Sequence, residues 1–224
     1  MHQKFYITEL ESEFKKNGVS AIAAEQKAYM RNQFNFCGLK TGERRQLQRP
    51  FLVAKYLPIK KELPILIKAL WEKPERDFQL FGQELAFKYI TQLEKNDLTL
   101  FEYMITHKSW WVTTDFISVK LVGAYFKKYP ELKEGITDKW VATNDIWLQR
   151  SALLFQLKYK EEIDTNLLSK TIYALVDSKA FFINKAIGWV LREYSRTNPN
   201  WVTAFAAKTP LSNLSKKEAL RLLN

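Results

Sequence analysis

Cysteine and histidine are almost absent from this chain. Cys37 stands alone, which excludes a disulfide framework and a cysteine-based zinc site. His2 and His107 are the only histidines, too few for a multi-histidine metal centre or a conventional histidine triad. Glycine is scarce as well, 7 of 224 residues, or about 3% where ~7% is usual. That shortage argues against glycine-punctuated β-sandwiches and barrels. Neither GxGxxG, a Walker loop, HExxH nor a zinc-deaminase signature occurs. No run approaches the ~18 consecutive apolar residues of a membrane helix. The opening MHQKFYITELESEF carries charges early and lacks an apolar core segment, so it does not read as a signal peptide. With one cysteine and no leader, the expected location is the reducing cytoplasm.

What is present is a helical pattern. Hydrophobic residues make up 46% and charged ones 26%, a globular rather than a disordered composition. In 146–157, Ile146, Ala152, Leu153, Leu154 and Leu157 recur at helical spacing. Similar stripes run through 20–32, 59–72, 77–91, 113–127, 165–176 and 182–194. Asp77, Asp97, Asp164 and Asn200 mark helix starts, and Ser215 with Glu218 reads as a capping box. No segment alternates with period two, and no low-complexity linker divides the chain, so a single all-α domain over 1–224 is expected. Phe81, Trp111, Trp147 and Phe181 recur at spacings of 30, 36 and 34 residues, with Ala86, Ala152 and Ala186 following. This suggests an α-solenoid of HEAT-like repeats with a concave groove. A generic helical bundle with aromatic core positions fits the same spacing.

The charge has one sign in excess. Lys and Arg number 35 against 24 Asp and Glu, a net +11. That points to an anionic partner, with nucleic acid first, although a solvated basic surface gives the same number. No helix pairs a clean basic face with a bulky apolar one, so a membrane surface is not expected. Lys40, Arg44, Arg45 and Arg49 cluster in GLKTGERRQLQRP, either as a phosphate-facing loop at a helix start or as surface charge around a cap.

The segment most suggestive of chemistry is SWWVTTD, residues 109–115. Adjacent tryptophans on a helix point roughly 100° apart, so Trp110 and Trp111 cannot both enter one core. Trp111 and Asp115 are four apart and share a face. An indole beside a carboxylate stabilises a developing cation; alternatively, Trp111 is core and Asp115 solvated. Arg150, on an otherwise apolar stripe, needs a partner, either Asp115 or a phosphate. Trp189 lies 39 residues beyond Arg150. His107 reads as an exposed loop histidine or a proton carrier, and Cys37 as a small buried apolar residue.

SWWVTTD, IWLQRSALLFQL and FFINKAIGWVLREYSRTNP, with the N-terminal YMRNQFNFCGLKTGERR, resemble the AlkD-like DNA alkylation repair family in order along nearly the whole chain. The resemblance implies a superhelix of HEAT-like repeats with a basic groove. It implies a monomeric DNA glycosylase that removes N3- and N7-alkylated purines from double-stranded DNA without metal or cofactor. By the same resemblance Asp115 is the catalytic carboxylate, and Trp111 and Trp189 are its aromatic walls. It likewise implies that Arg150 and Tyr29 hold the DNA backbone, and the basic cluster adds Lys40, Arg44 and Arg45 as expected phosphate contacts. Val112 and Lys40 depart from the family pattern, where an acidic residue and a neutral amide are expected. A helical-repeat DNA-binding protein without activity and a protein-interaction scaffold are the rival readings.

Overall fold

The computed structural model describes residues 3–223; His2 lies outside them. Among the described residues the regular structure is helical, with one isolated parallel bridge between Asn35 and Glu75. The fold class is thus all-α, as the period of the apolar residues requires. The chain divides into two compact units, Met1–Leu93 and Glu94–Asn224.

The first unit holds α1 (Gln3–Lys16), α2 (Ser20–Tyr29), α3 (Thr41–Gln48), α4 (Leu63–Glu72) and α5 (Arg76–Phe87), with short 3-10 turns across 49–62. Pro50 and Pro64 each sit at the start of a helical segment, where a missing N–H costs nothing. Leu10, Phe14, Ile67, Leu70, Phe78 and Phe81 are fully buried. Each such side chain is worth roughly 1.5–3 kcal/mol relative to exposure.

The second unit holds α6 (Asp97–Thr106), α7 (Trp111–Phe116), α8 (Gly123–Lys128), α9 (Lys133–Val141), α10 (Ile146–Leu154), α11 (Thr165–Leu175), α12 (Phe181–Tyr194), α13 (Pro199–Lys208) and α14 (Asn213–Ala219). Here α10 packs on α7, α9, α11 and α12, and α12 packs on α13 and α14. Contacts between near neighbours in sequence are the packing logic of helical repeats. A π-helical segment over Ile117–Val122 joins α7 to α8 without a break.

Several helix starts differ from expectation in detail. Asp164 caps α11, accepting from the Leu167 N–H at 3.0 Å. Asp97 is the first residue of α6 and accepts from the Glu94 N–H at 2.7 Å. Asp77 lies in the first turn of α5 and accepts from the Cys37 N–H at 2.8 Å. The cap of α13 is Asn198 rather than Asn200, because proline at 199 fixes the first helical turn one residue earlier. The cap of α14 is Ser212 rather than Ser215; the Ser215 hydroxyl is buried and donates to the Asn184 carbonyl at 2.9 Å. The aromatic series is not one repeating core position either. Trp111 and Phe181 open their helices, and Phe181 is exposed, whereas Phe81 is buried in the middle of α5.

Candidate active site

The site is built on three helices of the second unit. The turn from α6 to α7 runs through Lys108 in the left-handed region, φ 47°. Ser109 then ties back, its hydroxyl donating to the Ile105 carbonyl at 2.7 Å. Trp110 follows in extended conformation as the cap position of α7. Its ring packs on Trp147 at 5.8 Å and on Phe182 at 5.5 Å. Trp111 is the first residue of α7, half-buried, and stands one turn before Asp115 on the same face. The adjacent tryptophans therefore separate, one into an aromatic cluster and the other onto the face that carries the carboxylate.

Asp115 is clasped by Arg150 of α10. The guanidinium Nε donates to Oδ1 at 2.7 Å and Nη2 donates to Oδ2 at 2.9 Å. A third donor, Nη1, reaches the Phe182 carbonyl at 2.5 Å. Of the two partners left open by the sequence, Arg150 holds the carboxylate. It is only 4% exposed and so is not a free phosphate clamp. The fork-to-fork pairing fixes the plane of the carboxylate as well as its position. Burial pushes the Asp115 carboxyl above the usual aspartate range, and the Arg150 hydrogen bonds and charge pull against that rise without cancelling it. The Asp115 side chain keeps 16% of its surface open, so one edge of a fixed, partly desolvated anion remains reachable.

The helix widens immediately after Asp115. π-turns of this kind re-aim neighbouring side chains and recur at functional sites. Ser118 donates to the Thr114 carbonyl, and its Oγ lies 2.8 Å from that of Ser151 on α10. Trp189, on α12, is half-buried against the core of the second unit.

The remaining expected contacts lie in the first unit. Tyr29, the last residue of α2, is exposed. Lys40 caps α3 and is exposed, its N–H donating to Glu43 at 3.0 Å. Arg45 is exposed, with Nε 3.5 Å from Glu84. Arg44 departs from expectation. It is 4% exposed and donates to Gln48 at 2.7 Å and Glu84 at 3.0 Å, so it braces α3 against α5 rather than presenting charge outward. His107 is exposed and stacks on Tyr103 at 4.1 Å between centroids. Cys37 is half-buried, and burial raises its thiol well above the ordinary range. Among the described residues no group of His, Cys, Asp and Glu could hold a metal ion, and no helix is long and apolar enough to cross a membrane.

Sequence reasoning missed Phe182. Its carbonyl completes the Arg150 clasp and its ring lies 4.9 Å from Trp147. No sequence signal marks a backbone carbonyl, although its place beside an anchor aromatic was visible.

The family model for DNA alkylation repair enzymes matches residues 10–223. A comparison with curated proteins finds no match. Among solved structures, the chain is similar to one described as a predicted DNA alkylation repair enzyme from Enterococcus faecalis. The two share 32% identity and a TM-score of 0.86, covering 92% of this chain and 96% of the other. A family-model match over nearly the whole chain, together with a solved structure at 32% identity that covers 92% of it, places this protein in the DNA alkylation repair enzyme family.

Proposed function

We propose that this protein is a DNA glycosylase that hydrolyses the N-glycosidic bond of N3- and N7-alkylated purines in duplex DNA. The observation that carries the reading is the Asp115 carboxylate, fixed by the Nε and Nη2 donors of Arg150 yet open at one edge. An alkylpurine of this class already bears a positive charge and leaves as a neutral base. Its departure needs little help from an acid, so one carboxylate suffices where most O-glycosidases use two. Asp115 then stabilises the oxocarbenium-like sugar electrostatically and orients the attacking water. Trp111 and Trp189 cover the sugar and limit bulk water. Arg150 is a positioning residue that spends its donors on Asp115 and the Phe182 carbonyl. Tyr29, Lys40 and Arg45 present their side chains outward, where a DNA backbone is within reach. The enzyme acts as a monomer on alkylated double-stranded DNA.

The test is excision of 7-methylguanine from methylated duplex DNA. Asp115→Asn keeps the shape and removes the charge; it is expected to lower single-turnover excision at least ~100-fold, as loss of one preorganised charge-stabilising group does. DNA affinity is expected to hold within about twofold. Equal excision by both proteins would remove Asp115 from the chemistry. No excision by the wild type would favour a DNA-binding protein without activity.

A further inference from the structure

Helix α12 shows one accessible face. Every residue from Ile183 to Leu191 is buried except Lys185 and Trp189. Phe182, Lys185, Trp189 and Arg192 follow one another at three, four and three residues and are all half-buried, which makes a single helical stripe. The stripe starts at the carbonyl that completes the Arg150 clasp and passes through the proposed aromatic wall. Two of its four members are cations.

Those cations converge on one carboxylate. Glu218 of α14 accepts from Lys185 Nζ at 2.8 Å through Oε2 and pairs with Arg192 through Oε1. Its side chain is 12% exposed. The carboxylate is held there by close helix packing. A Cβ on Gly188 would lie 2.5 Å from Glu218 Cβ and 2.9 Å from the Ser215 carbonyl, so α14 sits directly on the glycine. Arg221 stands three residues beyond Glu218 and is exposed. The cations outnumber the charge that binds them. Burial lowers the Lys185 ammonium, and Arg192, Arg221 and Arg150 lower it further. Arg192 is likewise lowered by burial and then by Arg221. Two cations pair with one carboxylate, Arg221 adds a third positive charge close enough to disfavour both, and Glu193 beside Arg192 offsets part of it.

We propose that Lys185, Arg192 and Arg221 form a subsite for one phosphodiester of the DNA strand that passes Trp189, and that Glu218 is the internal counter-ion this phosphate displaces. A phosphodiester offers two anionic acceptor oxygens, as Glu218 does, so it replaces both contacts in kind. In the free protein Glu218 keeps two long, mobile side chains folded onto the stripe. On binding, the phosphate takes them over and the surplus charge of Arg221 is matched. The inference rests on the reading of this face as one that meets DNA, but not on excision.

The experiment measures affinity for an undamaged duplex over a range of salt, so no chemistry is involved. Glu218→Gln removes the competing charge and is expected to tighten binding about three- to tenfold at fixed salt. Arg192→Ala and Arg221→Ala are expected to weaken it and to reduce the log–log salt slope by about 0.9, the value of one phosphate contact. Lys170→Ala, whose ammonium pairs with Glu134 and Asp138, controls for loss of a general positive charge and should leave the slope unchanged. Arg221→Ala alters an exposed side chain outside the Glu218 contacts, so it reads the subsite even if Glu218→Gln folds poorly. Unchanged slopes in Arg192→Ala and Arg221→Ala, or weaker binding by folded Glu218→Gln, would overturn the proposal and leave Glu218 as a strut between α12 and α14. Loss of excision in Asp115→Asn with these slopes intact would separate the two readings.

Discussion

At the scale of single residues, the Asp115–Arg150 pair joins stability to chemistry. An aspartate buried alone would neutralise itself, because a desolvated charge is costly. Arg150 keeps it ionised with two charge-assisted hydrogen bonds, while burial still lifts its carboxyl above the ordinary value of 3.8. The sign of the pH dependence follows. As pH falls, Asp115 takes up its proton earlier than a solvated aspartate and loses the charge that, in the proposed reaction, would stabilise a cationic sugar. The acid limb of single-turnover excision is therefore expected above pH 3.8, and Arg150→Gln should move it further up. A limb at or below the value of a free aspartate would contradict the assignment. The pair was half legible in the sequence, since an arginine on an apolar stripe demands an anion. Its choice between Asp115 and a phosphate was not, because that depends on where the Phe182 carbonyl lies. Arg44 was misplaced for a related reason: Glu84, which buries it, stands 40 residues away, and no local pattern names such a partner.

At the scale of elements, the apolar period located the helices well because each buries a stripe of fixed width. It could not show the π-helical segment over Ile117–Val122. That widening answers to contacts across helices, between Ser118 and Ser151 and where Gly123 meets the Phe155 carbonyl. Nor did the glycine shortage reveal what the few glycines do. Gly188 sets the approach of α14 to α12, and Ser215 then donates to the Asn184 carbonyl across the same interface. Gly188→Ala places a methyl where Glu218 Cβ and a backbone oxygen already stand. Overpacking of this kind costs about 1–3 kcal/mol. We expect a thermal midpoint several degrees below wild type, as ~1 kcal/mol shifts a chain of this size by roughly 2–4 °C. Excision measured well below that midpoint should fall far less than in Asp115→Asn, because Asp115, Arg150 and Trp111 lie on other helices and only Trp189 and the Phe182 carbonyl share α12 with the glycine. An unchanged midpoint would mean that α14 yields easily and does not fix Glu218.

At the scale of the whole molecule, the net +11 was the most visible property of the sequence and the least specific. The structure divides its uses. Both units carry more Lys and Arg than Asp and Glu, yet Arg44 and Arg150 are turned inward onto carboxylates and contribute little outward field. In the proposed function what remains outside, Lys40 and Arg45 among it, would act through phosphates and so through counter-ion release. Screening by salt reaches exposed charges and largely spares buried pairs. Binding and chemistry should therefore separate under salt. If about six phosphates are neutralised, affinity for duplex DNA falls by roughly a thousandfold between 50 and 200 mM salt. The single-turnover excision rate at saturating enzyme should change less than about twofold over the same range, because the Asp115–Arg150 pair is shielded from the ions that weaken the grip. A catalytic rate that fell in parallel with affinity would mean that the charges gripping DNA also carry the chemistry, and that the Asp115 carboxylate does not act alone.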